Sequence, residues 1–196
     1  MTDSVPTGEA SQQTPAPKKR RLNSKAKGSG FENTVAKKLS SALTPLKFIR
    51  TQGSGARVGG KNFETLGQMF GEDALKLFVG DVVPVNEKEA NVEFLLSIEC
   101  KFYKASDSFE AMVAGSANIF KWMHESETDA TKINRIPIII FKWNHTPMYI
   151  GVPLVNLQYQ GVRPRLTIVR DGDYPIAIFY LDDVINHREF WVKDKV

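Results

Sequence analysis

Cysteine is almost missing from this chain: Cys100 is the only one in 196 residues. A lone thiol excludes an internal disulfide framework and any cysteine-built zinc site. It fits a reducing, intracellular compartment, the cytoplasm or nucleoid of a prokaryotic or phage-infected cell or the nucleus of a eukaryotic one. Histidine is scarce as well, and His124, His145 and His187 show no ligand spacing, so all three read as structural. No apolar run approaches the roughly 18–20 residues that span a bilayer, and the N-terminus lacks the apolar stretch of a signal peptide. Membrane-embedded and secreted classes are therefore not expected. Internal repeats are absent too, and one domain is the expectation at this length.

What is present begins with charge. Residues 1–27 hold six Lys and Arg (Lys18, Lys19, Arg20, Arg21, Lys25 and Lys27) against Asp3 and Glu9, while the remainder balances 20 basic against 20 acidic side chains. The net charge of +4 thus belongs to an arm. Residues 1–24 contain no aromatic and few aliphatic side chains, too little to offset the entropy of ordering, so residues 1–27 are expected to form a disordered basic arm ahead of a domain over 28–196. A basic arm on a neutral body points to a polyanion partner, with a solubilising tail or an import-like KKRR signal as the plainer reading.

In the domain, Phe31, Val35, Leu39 and Ala42/Leu43 recur at helical spacing, which predicts a helix over about 30–43 capped by Ser29 and ended by Pro45. A strand is expected at 46–51, then the glycine-rich loop 53–60, a short helix near 72–78 and a strand at 81–85. The run VEFLLSIECKF (92–102) reads as one central strand. Phe109, Met112/Val113, Ser116, Ile119/Phe120 and Met123 define a second helix whose stripe makes Phe109 and Phe120 core. Trp122 falls off that stripe, which frees it for an interface or base stacking. Strands follow at 136–142, where Phe141-Lys142-Trp143 reads as packing, and at 148–152, 165–170 and 175–180, with a short helix at 181–187. This order predicts an α/β fold, a mixed central sheet flanked by helices.

The chemistry concentrates at Glu99-Cys100-Lys101. Strand alternation puts Glu99 and Lys101 on one face and Cys100 on the other. A carboxylate and an ammonium at the end of a buried strand are either a partly buried ion pair or part of a metal site. Asp81 opens the preceding strand and can reach the same end of the sheet. Two neighbouring carboxylates repel unless a cation neutralises them, and Mg²⁺, for which Mn²⁺ can substitute, suits that donor set. Glu32 has two readings as well. Ser29-x-x-Glu32 makes a capping box, yet Glu32 shares a helix face with Ala36, Leu39 and Leu43 and so leans toward the core.

The order GSGFE, strand, glycine-rich loop, Gly80-Asp81, then an apolar strand ending ECK resembles the PD-(D/E)xK nuclease superfamily. The layout over residues 27–152 is most similar to archaeal and phage-type Holliday junction resolvases. The resemblance implies a restriction-endonuclease-like core over about 28–152, a C-terminal extension over 153–196, divalent-metal hydrolysis of DNA phosphodiesters at four-way junctions, and a homodimer. Asp81 and Glu99 resemble the metal carboxylates, aided by the Cys100 carbonyl. Lys101 looks like the lysine that orients water, Glu32 like the helix-one glutamate and Ser54 like a resolvase loop serine. Lys27, Arg50, Arg57, Lys61 and Lys104 flank the site and are expected to hold the DNA backbone. Other DNA nucleases of the superfamily (restriction-type, nicking or exonuclease), or a non-catalytic nucleic-acid-binding module, are the alternatives.

Overall fold

The computed structural model describes residues 24–52, 65, 67–69, 71–157 and 161–195. The first helix, α1 (Ser24–Ala42), buries Phe31, Val35, Ala36 and Leu39. It starts earlier than the apolar spacing predicts, so Ser29 lies inside it and does not cap it, and Lys25 and Lys27 belong to the helix and not to an arm. Gly28 and Gly30 disfavour the N-terminal part of this helix by about 1 kcal/mol each. A tertiary contact opposes them: Lys27 Nζ donates to Asn144 Oδ1 at 2.8 Å and lies 3.9 Å from the Phe102 ring centre.

The chain continues through β1 (Phe48–Arg50), α2 (Glu72–Leu75), β2 (Val82–Pro84), β3 (Val92–Phe94), β4 (Leu96–Tyr103), α3 (Phe109–Val113), α4 (Asn118–Thr131), β5 (Ile136–Trp143) and β6 (Tyr149–Pro153). It ends with β7 (Leu166–Ile168), β8 (Ile176–Tyr180), α5 (Leu181–Val184), α6 (Arg188–Trp191) and β9 (Val192–Asp194). Seven strands form one mixed sheet in the order β1-β2-β4-β5-β6-β8-β7, in which β4 and β5 run parallel. Helix α1 covers one face over Val82, Ile98, Cys100, Ile138 and Ile140. Helix α4 covers the other over Ile139, Phe141 and Trp143. Alternate residues of β5 therefore feed both cores, which is why its sequence IPIIIFKW is apolar almost without break.

Three sequence expectations are corrected here. The run 92–102 is two strands and not one: β3 leaves the main sheet and pairs with β9, Phe94 opposite Val192, in a sheet of two. The second helix is broken. Gly115 at φ +68° ends α3, and a Cβ there would stand 2.6 Å from Arg170 Cγ. Asp107 then caps α4, accepting from Asn118 N and Nδ2 at 3.1 and 2.6 Å. Phe109 is consequently 78% exposed and not core, whereas Trp122 is 3% exposed and stacks on Tyr103 at 4.9 Å. Residues 153–196 are no appendage either, since β8 pairs with β6 throughout its length and Trp191 is fully buried.

Candidate metal-dependent nuclease site

The site forms where β2 stops and β4 continues. The two strands pair at Val82–Ile98. Beyond that point Asp81 holds β4 twice: its N–H donates to Ile98 O at 2.7 Å, and its Oδ2 accepts from Cys100 N–H at 2.8 Å. The carboxylate thus replaces the backbone acceptor that a longer β2 would have offered Cys100. Gly80 makes this approach possible. It sits at φ +89°, and a Cβ there would lie 2.9 Å from Ile98 O. Only glycine tolerates both conditions, which accounts for GD where PD would otherwise be read.

Glu99 and Lys101 face α4, and their side chains meet at 2.8 Å. Burial and the neighbouring Asp81 carboxylate push Glu99 up to about 7, against the pull of the Lys101 ammonium. Burial draws the Lys101 ammonium down, but Glu99 and Glu125 outweigh it and hold the group above its ordinary value. Lys101 therefore stays charged at neutral pH. On the other face, burial first, then Asp81, Glu99 and Glu32, raise the Cys100 thiol, so it is a protonated core side chain and no nucleophile.

Glu125 is the functional candidate the sequence reading missed. It comes from α4 and accepts from Lys101 Nζ at 3.1 Å. The available signal was the charged stripe Lys121, Glu125, Asp129, one helical turn apart. It becomes informative only once α4 is known to lie over β4. With Lys101 held between two carboxylates, Glu125→Gln is expected to lower kcat on the order of tenfold while leaving KM unchanged. Steady-state cleavage kinetics check this, and an unchanged kcat would make the contact ornamental.

The remaining predicted residues are distributed differently. Glu32 lies on the α1 side and accepts from Arg50 Nε. That pair gives Arg50 an intramolecular counter-charge, and with Ser29 inside α1 Glu32 does not close a capping box. Lys27 is bonded to Asn144, and Lys104 is exposed just beyond β4. Ser54, Arg57 and Lys61 lie outside the described residues. Among the described residues, no three His, Cys, Asp or Glu side chains converge into a metal-holding group. The oxygen donors on hand are Asp81, Glu99 and the Cys100 carbonyl, which points to the same strand edge as the Cys100 N–H. One or two carboxylates with water and substrate oxygens are what Mg²⁺ accepts, so the set fits a hard divalent ion.

A mixed sheet covered by α1, with Gly80-Asp81 at the head of β2 and Glu99-Cys100-Lys101 on β4, defines the restriction-endonuclease-like, PD-(D/E)xK nuclease fold. The chain belongs within it to the family described as "Phage putative PDDEXK endonuclease", whose model matches residues 23–177. No curated protein and no solved structure matches the chain. Among the described residues no helix is long and apolar enough to cross a membrane.

Proposed function

We propose that this protein is a divalent-metal-dependent DNA endonuclease acting at Asp81, Glu99 and Lys101. The observation that carries the reading is the Asp81 carboxylate, fixed by the Cys100 N–H beside a half-buried Glu99 whose ionisation it opposes. Two acids pressed together in this way call for a cation. Mg²⁺, or Mn²⁺ in its place, would be held by Asp81, Glu99 and the Cys100 carbonyl, and would supply a polarised water and charge neutralisation at the attacked phosphate. Lys101, kept cationic by Glu99 and Glu125, would donate to the incoming water or to a phosphate oxygen as negative charge builds there. The Glu32–Arg50 pair ties α1 to β1.

The narrower form of the proposal, selectivity for four-way junctions by a homodimer, rests on the resemblance in motif order. Labelled four-way junction, linear duplex and single strand, each incubated with the protein in Mg²⁺ or EDTA, test both forms. Mg²⁺-dependent paired cuts in the junction alone are the expected result. Cutting of linear duplex would remove the junction clause and keep the nuclease. Binding without cutting in Mg²⁺ would leave a nucleic-acid-binding module and a structural Glu99–Lys101 pair.

A further inference from the structure

Two half-buried lysines on the α1 side of the sheet, Lys27 and Lys142, stand out by what they meet. Lys38, Lys101 and Lys132 each meet a carboxylate, Asp182, Glu99 with Glu125, and Asp129. Lys27 and Lys142 are half-buried and meet none among the described residues. Instead both converge on one ring, Lys27 Nζ at 3.9 Å and Lys142 Nζ at 5.4 Å from the centre of Phe102. The ring is held from behind by Phe31 at 5.5 Å. Lys142 is the cross-strand partner of Phe102, and Asn144 anchors Lys27. Cation–π attraction fixes such heads in place without cancelling their charge. Two partly desolvated like charges gathered at one ring are unfavourable until an anion joins them.

Their position matters as much as their charge. Phe102 follows Lys101 on β4 and lies two residues, roughly 7 Å, beyond Cys100. The opposite wall of the site carries Glu125 and Asp129 on α4, and there Lys121 faces Glu125 at 3.9 Å. One flank of the reaction centre is thus cationic and the other acidic.

We infer that Lys27 and Lys142, seated on the Phe102 ring, hold the phosphate backbone of the nucleic acid where it runs past the end of β4 on the α1 face of the sheet. The identity of the polyanion rests on the nuclease reading, while the surface itself does not. The contact is sequence-independent and positions the strand for attack.

The test is equilibrium binding of a labelled linear duplex in EDTA across a salt series, using the full chain. Lys27→Gln and Lys142→Gln are each expected to lower the slope of log affinity against log salt by about 0.9 and to weaken binding about fivefold at physiological salt. The double variant should lose about twice the slope. Lys121→Gln, on the acidic wall, should change neither, and the charge-keeping Lys27→Arg/Lys142→Arg protein should bind like wild type even if the glutamine pair melts early. An unchanged slope in a folded double variant overturns the inference while leaving Mg²⁺-dependent cleavage to stand. A lowered slope without any cleavage upholds the surface and sinks the nuclease. A shift in oligomeric state with unchanged DNA binding would make this flank a contact between copies of the chain and overturn the proposal.

Discussion

Asp81→Asn is expected to reduce Mg²⁺-dependent cleavage by about 10³-fold, some 4 kcal/mol of transition-state stabilisation, while leaving the fold and DNA affinity intact. The asparagine carbonyl oxygen can still accept from Cys100 N–H, so the bond that ties the β2 end to β4 survives. Only the charge is lost. Asp81→Ala makes the complementary measurement, because it removes the acceptor and leaves a buried N–H unsatisfied at a cost of about 1–3 kcal/mol. The two variants should be alike in cleavage and different in melting temperature. Wild-type cleavage by the asparagine protein would remove Asp81 from the reaction altogether.

Glu99→Gln should move activity and stability in opposite directions. Cleavage should fall as severely as in Asp81→Asn, since the second metal carboxylate is gone. The metal-free protein, however, should gain stability above neutral pH. The carboxyl titrates near 4.5 when unfolded and at about 7 when folded. Between those values the folded state holds a proton that the unfolded state has released, so wild-type stability declines as pH rises from about 4.5 to 7 and is flat above it. Glutamine cannot ionise and avoids this decline. The variant should exceed wild type on the order of 2 kcal/mol at pH 8, screening allowed for, and by little at pH 4. Mg²⁺ should raise the melting temperature of wild type at pH 8 and not that of the variant. Parallel denaturation curves at both pH values would show that Asp81 and burial do not press on Glu99 as the geometry implies.

Much of this site was legible in the sequence because it depends on local order. The alternation in Leu96–Lys101 put Glu99 and Lys101 on one face, and Gly80-Asp81 just before a short apolar strand pointed to the same end of the sheet. The family then follows from the order of the motifs. What escaped was set by partners far away in the chain. Nothing near Leu95 announces that β3 turns aside to meet β9. Glu125 is one more solvated acid on a helix until α4 is laid across β4. Arg50 reads as a free cation until α1 brings Glu32 to it, and Trp122 leaves the apolar stripe only because the helix before it is broken at Gly115. Periodicity reports which way a side chain faces and is silent about what it faces.

The pairing of β3 with β9 has a consequence for synthesis and handling. Val92 waits for Asp194, about 100 residues later, and until then β3 offers its unpaired backbone to any other strand nearby. A fragment ending at residue 177, where the family match ends, lacks α5, α6 and β9 and so keeps that edge open beside the strand that bears Glu99 and Lys101. Such a fragment would hold Asp81, Glu99 and Lys101, every residue of the proposed reaction centre, and still be prone to aggregate.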